Sequence, residues 1–164
     1  MHRVILAAVL ALSACAVKPT GTGSFRPSDA PIWSSAGLQP GQLAGVWQQV
    51  AAFQSGAADC PAGQIDIQPA AGGLSLDGNL CLNGVVQRIS GLAKPIGPGR
   101  LGIKGQEDWW VLWVDSGYRT MAIGTPSGRF GFVLDRGPIP ADRLEAAREI
   151  FDFNSYAVGA LRAF

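Results

Sequence analysis

The sequence predicts a single all-β domain, a barrel or a sandwich, with eight antiparallel strands in up-and-down order and one C-terminal helix. Three observations predict it. Beyond Gly41 the chain breaks into short apolar runs separated by Gly and Pro at intervals of about 8–12 residues. The connections are short enough for hairpins, which favours neighbours in sequence over crossovers. Only one stretch, close to the C-terminus, has helical spacing. At 164 residues the chain is long enough for one domain with a real core.

The first element stands apart from the domain. "MHRVILAAVLALSAC" opens with His2 and Arg3, runs apolar from Val4 to Leu12 and ends in small residues before Cys15. It reads as a secretory signal, because a membrane span needs about 20 apolar residues. Leu12-Ser13-Ala14-Cys15 resembles the lipobox of bacterial lipoproteins, which implies a signal peptide over 1–14 and a lipid anchor on Cys15. Ala16 follows in place of the aspartate associated with inner-membrane retention, which implies the outer membrane, facing the periplasm. From Ala16 to about Pro40 the chain is dense in Pro, Gly, Ser and Thr, so residues 15–40 are expected to form a flexible tether and 41–164 the domain. Trp33 is expected to cap the domain.

The eight runs are Val46–Phe53, Gln64–Pro69, Gly73–Leu82, Val85–Ala93, Gly99–Lys104, Trp109–Asp115, Tyr118–Thr125 and Arg129–Arg136. The sixth stands in "EDWWVLWVDSGY", where three of the five tryptophans fall within five residues. It is too short to cross a bilayer. Next, "GPIPADRLEAAREIFDF" changes period: Leu144, Ala147, Ile150 and Phe151 share one face, and Pro140 suits a helix start because its missing N–H needs no partner there. The helix is expected to pack its Leu144/Phe151 stripe on the outside of the sheet. Residues 154–164 are read as either a tail or an extra edge strand.

Cys60 and Cys81 are the cysteines left once Cys15 is lipidated, and an even pair in an oxidising compartment is normally bridged. A hairpin that sets Ile65 opposite Leu76 and Ile67 opposite Leu74 also sets Cys60 opposite Cys81, at an expected Cα separation of ~4.5–5.5 Å.

Composition excludes several functions. Without Arg3 the 13 basic residues become 12, equal to the 12 acidic ones, with no Lys/Arg cluster, which argues against nucleic acid or anionic lipid as an electrostatic partner. The single histidine, His2, lies in the signal, so Ser-His-Asp and Cys-His catalysis and His-based metal sites are excluded. No enzyme, cofactor or metal site is expected.

Gly45-Val46-Trp47 at the first strand, Asp115 and Tyr118 in "VDSGY" and Leu134-Asp135-Arg136 at the last strand resemble the three motifs of the lipocalins. "YRTMAIGTPSGRFGFVLDRGP" and the "FDF" at Phe151–Phe153 are similar to the bacterial outer-membrane branch. The resemblance covers Leu43–Phe153 and implies a closed eight-stranded antiparallel up-and-down β-barrel with the helix outside. Its first and last strands would pair, so that the Arg136 guanidinium lies over the Trp47 ring, a cation–π contact of about 0.5–2 kcal/mol. Gly45, Trp47 and Arg136 are thus expected to form the structural end of the barrel. The chain departs from the family in two ways. Trp47 and Trp109 stand only 62 residues apart, which implies clipped hairpins and a smaller or more open cavity. Gly124 stands where the bacterial branch carries a cysteine.

The resemblance implies binding of a small hydrophobic ligand, in bacterial members a fatty acid such as palmitate or a lysophospholipid, in the service of envelope maintenance. Strict alternation from Trp47 and Arg136 gives the expected cavity residues: Gln49, Ala51 and Phe53 on the first strand, Phe130 and Phe132 on the last. On the sixth strand Trp109, Val111 and Trp113 are taken as inward on family parity. The rival expectation is a structural envelope lipoprotein with a self-filled barrel, docking a protein partner, the membrane surface or a second copy.

Overall fold

Eight strands close into an antiparallel barrel: β1 (Gly45–Phe53), β2 (Gln64–Ala70), β3 (Gly73–Leu82), β4 (Val85–Gly97), β5 (Arg100–Ile103), β6 (Trp109–Val114), β7 (Thr120–Gly124) and β8 (Gly131–Asp135). Each pairs with the next, and β1 pairs with both β8 and β2 to close the ring. Helix α1 (Ala141–Phe153) follows, and then β9 (Leu161–Ala163) adds to the upper half of β1, which settles the chain's end as a strand. The computed structural model describes residues 23–56 and 60–164; the expected signal peptide over 1–14 and the expected anchor at Cys15 lie outside the described residues.

Turn chemistry gives the barrel two distinct ends. The β3–β4 turn is Asn83-Gly84, both in the left-handed region at φ 50° and 76°, as a tight hairpin requires. It lies at the same end as the β5–β6 and β7–β8 turns. The opposite end carries the β2–β3, β4–β5 and β6–β7 turns and a 3₁₀ turn at Pro40–Leu43.

Inside the ring, apolar side chains from all eight strands form one cluster in which no buried member is more than 4% exposed. The barrel is filled by its own side chains, where clipped hairpins were expected to leave a smaller or more open cavity. Outside it lies a second core, built where Ala147 and Phe151 of α1 meet Phe53, Leu112 and Tyr156. Its floor is flat because Gly124 pairs with Gly131 across β7 and β8. A Cβ on Gly131 would come within 3.0 Å of the Phe53 ring and 3.1 Å of Phe151 and Tyr156. One on Gly124 would stand 2.7 Å from the Tyr156 hydroxyl.

Four sequence expectations are corrected. First, β2 and β3 pair Ile65 with Gly78 and Ile67 with Leu76, a shift of two residues from the expected register. The turn is centred one residue later than assumed, on Ala71-Gly72, where Gly72 at φ 80° takes the left-handed position and Ala70 stands opposite Gly73. A shift of two preserves which side chains face inward, so the Ile and Leu positions stay in the core. Second, β1 bulges between Gln49 and Ala51, which reverses its alternation and turns Ala51 and Phe53 outward under the helix. Third, β6 bulges between Val111 and Trp113, so Trp113 packs outside while Trp109 and Val111 remain inside. Fourth, residues 24–39 are not free tether. Phe25 and Arg26 are buried, and the segment runs as a strap along the outside of the barrel. Arg26 anchors it, donating to the carbonyls of Asn154 (3.1 Å), Pro126 (2.6 Å), Pro31 (3.0 Å) and Ala30. Among the described residues no carboxylate pairs with this buried guanidinium, which is tolerated because backbone carbonyls accept its N–H groups.

Candidate functional site

The closed end is plugged by residues the sequence singled out. Arg136 lies 4.1 Å over the Trp47 ring and donates to the carbonyls of Tyr118 (2.7 Å) and Gln42 (3.0 Å). The Trp47 indole donates in turn to the Leu43 carbonyl at 2.8 Å. Gly45 is required beside them: it sits at φ 119°, and a Cβ there would meet an Arg136 nitrogen at 2.5 Å. The β6–β7 turn is held by Asp115. Burial pushes its carboxyl up, but the N–H groups of Thr120 (2.7 Å), Arg119 (2.6 Å) and Gly117 (3.3 Å), with the Arg119 guanidinium, outweigh burial and hold it below the ordinary aspartate range. This end is tied together by charge-assisted hydrogen bonds among the described residues.

The opposite end opens into a cleft of about 350 Å³, at the small end of the range for ligand pockets. Leu82 and Val85 line it from the β3–β4 hairpin, Gln106 and Glu107 from the β5–β6 turn, and Arg129 and Phe130 from the β7–β8 turn. The Glu107 carboxylate accepts the Ser127 N–H at 3.2 Å and so links two of these turns. Asn83, Gln87, Gln106, Glu107 and Arg129 give polar surface beside the apolar Leu82, Val85 and Phe130, a mixed lining that suits an amphiphile. From the cleft an aromatic series descends into the barrel: Phe130 stacks on Phe132 with centroids 6.1 Å apart, and Phe132 meets Trp109 edge to face at 5.2 Å. The Trp109 indole nitrogen is fully buried and, among the described residues, is the one buried side-chain polar atom without a hydrogen-bond partner.

No family model and no curated protein matches the sequence. Among solved structures the chain is similar to lobster apocrustacyanin A1, with a TM-score of 0.57 and 12% identity over 82% of this chain and 88% of that one. It is similar also to apocrustacyanin C2, with a TM-score of 0.56 and 14% identity over 86% and 87% of the two chains. Against the allergen Per a 4 from cockroaches the TM-score is 0.60, at 10% identity over 84% and 94%. The fold is lipocalin-like.

Within this lipocalin-like barrel the expected cavity residues separate into three groups. Phe130 lines the cleft, and Phe132, Trp109 and Val111 lie beneath it in the inner cluster. Ala51, Phe53 and Trp113 are outside, for the reasons given above. Gln49 is buried but otherwise engaged. Its amide donates to the Cys81 carbonyl at 2.8 Å and accepts from the Cys81 N–H at 2.8 Å and the Gly63 N–H at 3.2 Å. It thus pairs with the backbone of β3 beyond the end of β2, where no strand is present to do so. Cys60 and Cys81 are bridged, with Cα atoms 5.8 Å apart, although Cys60 lies in the loop before β2 and not opposite Cys81 in a ladder. Alternation missed Arg129, Glu107 and Leu82, which meet only through turns. The Gly-rich and polar character of "LNG", "KGQED" and "PSGR" was the available signal.

Proposed function

We propose that the protein binds a single-chain amphiphile, a fatty acid or lysophospholipid, at the mouth of its barrel while anchored to the bacterial outer membrane through Cys15. The cleft carries this reading: Leu82, Val85 and Phe130 give it apolar surface, and Arg129 beside Glu107 on a polar rim offers an acidic or zwitterionic headgroup its partners. The acyl chain follows the Phe130–Phe132–Trp109 series, gaining about 0.8 kcal/mol per buried CH₂. The filled interior limits the depth of entry, so a long chain enters by displacing Phe130 and Phe132 from their stack. The motifs that resemble the bacterial lipoprotein branch support the cellular setting.

The test is native mass spectrometry of the folded chain titrated with palmitate and with lysophosphatidylcholine. Saturable one-to-one binding, weakened by Phe130→Asp and left unchanged by Trp113→Phe on the outer face, is the expected result. Failure of both lipids to bind at micromolar protein would sink the reading. That failure would favour a second one, a self-filled structural barrel, for which the inner cluster's near-complete burial speaks directly.

A further inference from the structure

We propose that the barrel stands mouth-down on the lipid bilayer, with the rim residues Val85, Val86 and Phe153 seated in the membrane interface. The inference rests on the reading of Cys15 as the lipidated residue. Its first observation is where the described chain begins. Phe25 donates its N–H to the Gly128 carbonyl at 2.7 Å, and the Ser24 hydroxyl donates to the Ser127 carbonyl at 2.7 Å. Both acceptors belong to the β7–β8 turn, which also lines the cleft. The chain therefore leaves its anchor and joins the barrel at the mouth.

The second observation is reach. From Cys15 to Gly23 there are eight residue steps, which fully extended span at most about 28 Å. The ten-residue β3 spans nine steps, about 31 Å, and strands tilted by about 40° make the barrel roughly 23 Å tall. A tether that starts at the mouth brings the closed end to the bilayer only by using most of its full extension along the barrel's flank.

The third is composition at the mouth. Val85 and Val86, beside the Asn83-Gly84 turn, are 59% and 52% exposed, and Phe153 is 70% exposed. Phe153 ends α1 at the same level, because Asn154 next to it accepts from Arg26, which also holds Pro126 of the β7–β8 turn. Apolar side chains exposed around the opening cost free energy in water and regain it in the interfacial region of a bilayer, where an aromatic ring is at home. Arg129 on the same rim is placed to meet lipid phosphates.

The test uses the mature chain on phosphatidylcholine vesicles with amide hydrogen exchange as the readout. Intact mass establishes separately whether Cys15 carries acyl groups. If it does not, Cys15 is the one free thiol beside the Cys60–Cys81 bridge, and coupling it to a maleimide-headgroup phospholipid supplies the same tether. Orientation is thus read in either case. Expected is a several-fold slowing of exchange in the turns at 82–86 and 125–130 relative to the unanchored chain, with none in the turns at 70–73 and 97–100. The double variant V85E/V86E should lose that slowing, and Ile96→Glu at the far end should keep it. Protection of the closed-end turns, of the flank around Trp33, or of no turn at all would overturn the proposal.

Discussion

At the scale of single residues, Arg136 and Asp115 hold the closed end and Tyr156 ties the helix side to the mouth. Removing the Arg136 guanidinium loses a cation–π contact and leaves the Tyr118 and Gln42 carbonyls without their donor. Arg136→Ala should lower stability by roughly 1–3 kcal/mol in urea unfolding, and Lys, which lacks the planar fork, should recover only part of it. Asp115 makes a prediction in pH. Its folded-state pKa is depressed, so its contribution is present above the unfolded value of about 4 and is lost as pH falls through the lower folded value. Asp115→Asn should therefore destabilise the protein at neutral pH, and the gap between variant and parent should close in acid. Tyr156 works in the other direction. Burial pushes its phenol up to about 12 against the opposing Thr125 hydrogen bonds. Its contribution is complete below the unfolded value of about 10 and is lost as pH rises through the folded value. A phenolate absorbance step near that upper value should vanish in Tyr156→Phe.

At the scale of elements, strands and helix were legible in the sequence because burial imposes period 2 or 3.6 on apolar residues. What alternation could not reveal is where the period slips. Ala51, Phe53 and Trp113 were assigned to the cavity by counting in twos from Trp47 and along β6, and in each case one inserted residue reversed the count. Nothing in "QQVAAF" or "VLWV" marks the insertion, since apolar residues are needed on both faces wherever a helix or strap covers the outside. The strap was hidden for a related reason. Its Pro- and Ser-rich composition matches a tether, and its attachment depends on Arg26 finding carbonyls at residues 126 and 154, a pairing without local trace. Arg26→Ala should free the strap and cost roughly 2–4 kcal/mol, checked by urea unfolding and by faster proteolysis within residues 24–39. The closed-end residues, by contrast, were legible as family motifs, while the cleft was not, being assembled from three turns distant in sequence.

At the scale of the whole molecule, the choice between carrier and solid scaffold turns on whether the filled interior yields. Phe132→Ala is the informative substitution, because the ring bridges Phe130 and Trp109. It should destabilise the chain by roughly 3–5 kcal/mol. In a carrier it should also admit longer acyl chains, read as tighter binding of palmitate than of shorter fatty acids by native mass spectrometry. In a scaffold the same cavity would only weaken the fold.

The ring has two short seams. β5 and β6 pair only at Arg100–Trp110 and Leu101–Trp109, and β1 and β2 pair over four residues, Gly45–Gln48 with Gln64–Ile67. Above the second seam the Gln49 amide, the Ser55–Asn83 hydrogen bond and the Cys60–Cys81 bond hold β1 and the loop before β2 against β3. That side of the barrel is fastened like a garment with a short zip and a row of clasps. If it parts to take a guest, the bridged cysteines set how far. Reduction of the bond, which spans a sequence separation of 21, should cost about 3 kcal/mol. It should also speed amide exchange at Gly63 and Cys81 well before the rest of the ring loosens.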